Sequence, residues 1–160
     1  MAESELMKLK KAYEKLRKKY SLPSFDELNQ DFEIEKLQER ETETLTREIR
    51  RCIVDKNLSY LRFVEMFLNP SQAPMFFLAL VKSLNTDERK LLDELYAELG
   101  KYEIISIALD NEYNPEKDVE FIKDFFKKWQ KIKKKFGDFM KGVEEGWERK
   151  AEKKDNNYLG

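Results

Sequence analysis

Leu6, Leu9, Tyr13, Leu16 and Tyr20 are spaced three, four, three and four residues apart in a segment otherwise rich in Lys and Glu. That spacing is one apolar stripe on an α-helix, and a single stripe calls for a partner helix. The run Ser21 to Pro23 breaks the pattern. Ser24-Phe25-Asp26-Glu27 then has the form of a capping box, with a short helix through Phe25, Leu28 and Phe32 expected to follow. Glu33 to Glu48 is acidic and poor in apolar residues, so it either projects into solvent or breaks near 42–44.

Leu45, Ile49, Cys52 or Ile53, Tyr60, Phe63 or Val64 and Phe67 again recur at helical spacing, up to the two prolines of NPSQAP at 69–74, which enforce a turn. MFFLALVKSL, Met75 to Leu84, is apolar nearly all round. A helix without a polar face needs cover on most sides, so this segment is expected as the buried centre of the core, over about 72–85. Thr86, followed by Asp87 and Glu88, is the expected N-cap of the next helix. Its stripe is Leu91, Leu92, Leu95, Tyr96, Leu99, Tyr102, Ile105 and Leu109, with Gly100 a kink or a C-terminal cap. Asn114-Pro115 is the expected cap and first turn of the last helix.

That last helix contains KKWQKIKKKFG, six lysines and no acid around Trp129, Ile132 and Phe136. Advancing by about 100° per residue places Phe121, Ile122, Phe125, Phe126, Trp129 and the further apolar residues through Val143 and Trp147 in one arc of about 140°. The lysines fall in the opposite arc, except Lys133 at its boundary, whose methylene stem can lie over apolar neighbours. Aromatic rings facing away from the lysines give no base-stacking platform beside a phosphate track, so packing of the arc into the fold is expected over an exposed binding surface. Lys127, Lys128, Lys131, Lys134 and Lys135 remain the candidate polyanion-binding residues.

No β-type alternation and no repeat is evident. The fold class expected is all-α, a bundle of five or six helices in a single domain over 1–154, with a disordered tail at 155–160. Charge adds a second constraint. Residues 1–20 carry seven basic and three acidic groups and residues 115–154 thirteen and nine, a balance of +4 each, against −8 for 21–114. Basic terminal helices laid along an acidic middle would neutralise it.

The chain has no histidine, which removes imidazole general-base catalysis and the usual serine and cysteine nucleophile systems. One cysteine, Cys52, excludes an internal disulfide or a two-cysteine metal site and is expected as a buried filler. Asp110 to Phe121 has the alternating polar residues of a calcium loop, but Pro115 stands where its glycine belongs and Phe121 where its bidentate acid belongs. Glu33, Glu35, Glu39, Glu41, Glu43 and Glu48 lack the paired spacing of a magnesium site, and Glu145 with Glu148 is a lone Glu-x-x-Glu pair. Gly142 and Gly146 match Gly-x-x-x-Gly only in form, in charged surroundings.

No cofactor, metal site or small-molecule substrate is expected. MAESELMKLKK is not a secretory signal, and the longest apolar run is too short to cross a bilayer, so the expected setting is cytoplasmic. The function expected is a non-catalytic interaction or scaffolding module with a protein partner or, as a homo-oligomer, with itself, coiled-coil packing included. Binding of nucleic acid or anionic membrane through the lysine arc is the alternative, and a carboxylate–metal hydrolase ranks third.

Overall fold

The computed structural model describes residues 2–40 and 43–158, so Glu41 and Thr42 of the expected break lie outside the described residues. Among the described residues the chain is all-α. Its helices are α1 (Glu5–Tyr20), α2 (Phe25–Phe32), α3 (Leu45–Leu68), α4 (Met75–Ser83), α5 (Thr86–Asp110) and α6 (Pro115–Tyr158), with 3-10 helices over Ile34–Glu39 and Pro70–Gln72. Of the tail expected at 155–160, residues 155–158 continue α6, and 159–160 lie outside the described residues. No described helix is long and apolar enough to cross a membrane.

The helices fall into two compact units. The first comprises the described residues up to Asn57 with Tyr102–Lys127, and the second Leu58–Lys101 with those from Lys128 onward; α3, α5 and α6 contribute to both.

In the first unit, Ser4 caps α1 by accepting from the Met7 amide, and Ser21 closes it in the left-handed region at φ 56°. Tyr13 is fully buried on the predicted stripe. Its hydroxyl donates to the carbonyl of Pro23 at 2.5 Å, and its ring meets Phe25 edge-on. Burial pushes the phenol's pKa well up. The Ser24–Glu27 capping box forms as expected, with both reciprocal bonds present at 2.7 and 3.1 Å, and Phe25, Leu28 and Phe32 are buried. Phe32 packs edge-on against Phe125, which stacks with Phe121, and Tyr102 meets both of those rings at their edges. Asn114 caps α6 by accepting from the Lys117 amide.

In the second unit the interior is an aromatic cluster. Phe67 meets Phe77 and Phe139 edge-on at 5.7 and 5.0 Å, Tyr60 stacks on Phe136 at 4.2 Å, and Trp129 is fully buried. The expectation of a central buried helix over about 72–85 needs correction. Only Leu80 of α4 is buried, while Met75, Phe76 and Leu78 are 83%, 53% and 37% exposed. An all-apolar sequence lacks a polar face; it does not follow that every face is covered, and a nine-residue helix lies along one side of the cluster instead of through it.

Two further readings change. Gly100 neither ends nor caps α5, which continues through it. The cap of α5 is Asn85, one residue before Thr86: Asn85 Oδ1 accepts from the Glu88 amide at 2.8 Å, and Glu88 Oε2 accepts from the Asn85 amide at 3.0 Å.

That cap explains Gly142, and Ser83 explains Gly146. A Cβ on Gly142 would lie 2.6 Å from Oε1 of Glu88, and one on Gly146 would lie 3.1 Å from Oγ of Ser83. The Gly-x-x-x-Gly spacing thus seats α6 against the α4–α5 junction, a role its charged surroundings conceal.

Candidate functional site

In the second unit α6 approaches α4 closely because Gly146 carries no side chain where Ser83 stands. Phe76, about two turns before Ser83 on α4, and Trp147, next to Gly146 on α6, meet with ring centroids 5.2 Å apart. Below them opens a groove of about 330 Å³ whose floor and walls include Phe63, Phe77, Leu80, Met140 and Val143, with Glu144 as its one charged lining residue. Trp147, expected in the packed arc, is 43% exposed, because at that level α6 faces the short, one-sided α4. Phe76 and Trp147 thus leave apolar surface uncovered at the mouth of the groove.

A larger depression, about 740 Å³, lies beside the NPSQAP turn and includes Arg62, Glu65, Asn69, Gln72 and Tyr96 in its lining. Its mixed polar walls lack the convergent apolar surface that a ligand or partner side chain needs, so the smaller groove is the better candidate.

The five lysines singled out from the sequence are not equivalent. Lys127 belongs to the first unit's share of α6 and is exposed. In the second unit Lys131 and Lys134 are exposed, whereas Lys135 bonds to Glu98 at 3.1 Å and lies 3.7 Å from Glu94. Lys128 is half-buried and engaged. The apolar residues between them turn inward as expected, Trp129 and Ile132 being fully buried.

The strongest polar constellation of the first unit was not singled out from the sequence. Arg50 of α3, 0% exposed, donates from Nε to Asp118 Oδ1 at 2.7 Å, from Nη1 to Ser106 Oγ at 2.6 Å, and from Nη2 to Asp110 Oδ1 at 2.5 Å. Thr46 Oγ1 lies 3.5 Å from the other Asp118 oxygen and 3.3 Å from the Tyr113 hydroxyl, and the Arg47 guanidinium lies over the Tyr113 ring. Burial raises the Asp110 carboxyl, but the hydrogen bond from Arg50 and the charges of Arg50, Arg51 and Arg47 outweigh it and hold the pKa below its ordinary 3.8. A signal existed for one partner: Asp118, three residues before Phe121, lands near the middle of the apolar arc of α6, whereas Arg50 stands about 60° beyond Ile53, outside the predicted stripe of α3. The arrangement is a charge clamp joining three helices, with the Arg50 guanidinium bonded from Nε, Nη1 and Nη2, while Arg47 Nε is buried without a hydrogen-bond partner.

Cys52 is buried, and burial pushes its thiol up to about 11, which keeps it in the poorly nucleophilic protonated form. Among the described residues no three Asp, Glu or Cys side chains group as a metal would require; Glu41 lies outside those residues. No protein-family model matches the chain, and comparison with curated proteins and with solved structures finds no match.

Proposed function

We propose that this chain is a non-catalytic protein-interaction module that docks its partner in the groove beside Phe76 and Trp147. The carrying observation is the exposure of Phe76 and Trp147 at the edge of a concave apolar surface. Aromatic and Met side chains of this kind anchor interfaces when they converge on a pocket. The groove suits helix-in-groove recognition, in which a few apolar anchors at helical spacing enter a cleft. A cytoplasmic setting is part of this reading, and a second copy of the chain is one partner it admits.

Site-directed photo-crosslinking tests it. A photoreactive phenylalanine analogue at position 76 should capture one discrete polypeptide in the cells that make the protein. The same analogue at the exposed position 90 should not, and Trp147→Glu should abolish the capture while leaving the helical content intact. Equal capture from both positions, or capture indifferent to Trp147→Glu, would refute the proposal.

A second reading is polyanion binding through the exposed lysines Lys127, Lys131 and Lys134. Neutralisation of Lys135 by Glu94 and Glu98 weakens it. It requires binding of RNA or anionic vesicles that falls steeply with salt and is lost on reversing those three lysines to Glu.

A further inference from the structure

We infer that the occupant of the groove is an amphipathic helix of a partner protein whose apolar stripe is followed, about two helical turns on, by a cluster of carboxylates. This rests on the groove being a docking surface and adds the chemistry and polarity of what docks there.

Along one face of α6 the groove residues Met140, Val143 and Trp147 are succeeded by Lys150, Ala151 and Lys154. Trp147 belongs to both sites: one side of it bounds the groove, and the other, with Ala79, bounds a depression of about 160 Å³ walled by those two lysines. At about 1.5 Å rise per residue, Lys150 stands about 10 Å beyond Val143, and Lys154 the same distance beyond Trp147. An apolar subsite and a cationic one are therefore fixed on a single helix at a spacing that a docked helix covers in about seven residues.

The adjoining depression adds Lys82, Arg149 and Lys153, with Glu152 the one acid in its lining. Among the described residues none of Lys82, Arg149, Lys150, Lys153 and Lys154 makes an ion pair, in contrast to Lys135. Cations left without anions beside an apolar cleft reject a basic partner and favour an acidic one. Glu144, at the groove itself, repels carboxylates there, so the partner's acids belong at one end of its stripe and not along it. A bilayer fits less well. It would press on Glu144, and a flat surface would leave the recessed Phe63, Phe77 and Leu80 untouched.

The test is calorimetric titration of the full chain with synthetic helical peptides that share a Leu/Phe stripe at i, i+3, i+4 and i+7. One end of the stripe is followed by Glu, Lys or Gln, and the Glu peptide is made with its cluster at either terminus. One Glu peptide should bind saturably at least about tenfold tighter than the Gln and Lys peptides, an advantage that fades at about 0.5 M salt. Lys150→Glu with Lys154→Glu should transfer the preference to the Lys peptide, and Phe76→Ser with Trp147→Ser should abolish binding of every peptide in a chain whose circular dichroism is unchanged. Equal binding of the three chemistries would overturn the acidic partner while leaving the groove a docking site. Binding of none would overturn both. Preference for vesicles of phosphatidylcholine and phosphatidylserine over the Glu peptides, lost in the same variants, would assign the surface to lipid and overturn the inference.

Discussion

Arg50 and Asp118 face one another across 2.7 Å with 0% and 2% of their side chains exposed, an ion pair of the first unit buried from both sides. Removing one partner strands the other charge where water cannot reach it, at a cost of about 3–5 kcal/mol, whereas replacing both by apolar residues of similar size is close to neutral. Asp118→Ala and Arg50→Met should each lower the urea midpoint sharply, and Arg50→Met with Asp118→Leu should recover most of the loss. A double variant as unstable as the sum of the singles would show no coupling between the two residues and refute the stranded-charge account.

Asp110 gives the clamp an acid limit. Its pKa is lower folded than unfolded, so its contribution is complete above the unfolded value near 3.8 and is lost as pH falls through the folded one. The stability difference between the wild type and Asp110→Asn should be constant from neutral pH to about pH 5 and shrink below about pH 4. Urea titrations at a series of pH values check this; a difference that grows on acidification would reverse the assigned sign.

Gly137 and Gly142 should respond oppositely to alanine. A Cβ on Gly137 meets nothing within 4 Å, so Gly137→Ala should stabilise α6 by about 0.5–1 kcal/mol through helix propensity. Gly142→Ala would press on a Glu88 carboxylate held by its capping bonds and should lower the melting temperature. A rise in both variants would mean that the approach of α6 to Glu88 is looser than described.

Leu80 and Phe76 separate the two faces of α4. Leu80→Asp places a charge in a site 5% exposed and should cost several kcal/mol. Phe76→Asp, at a position half open to solvent, should change stability by about 1 kcal/mol or less. Thermal melts of the two variants check this, and an unfolded Phe76→Asp chain would restore α4 to the centre of the core.

What the sequence disclosed was local. Ser24 and Glu27 form their box within one helical turn, Asn114 caps α6 from the residue before Pro115, and the separation of Trp129 and Ile132 from the exposed lysines is a matter of helical period alone. What it withheld depends on partners distant in the chain. Arg50 and Asp118 are 68 positions apart, and the place of Asp118 on an apolar face marks it as anomalous without saying what it pairs with. Gly142 and Gly146 acquire meaning only against Glu88 and Ser83. The groove stayed hidden because hydrophobicity measures the tendency of Phe76 and Trp147 to be buried, while their exposure depends on how much surface the neighbouring helix supplies.

The unequal burial of the two tryptophans makes the protein a two-colour optical sensor of itself. Trp129, 0% exposed, emits from a rigid apolar site that iodide cannot enter, and Trp147, 43% exposed, emits further to the red and is open to collisional quenching. Global unfolding moves the first signal, whereas occupation of the groove blue-shifts and shields only the second. A single emission spectrum, resolved by quencher, therefore separates loss of structure from engagement of the surface without any label.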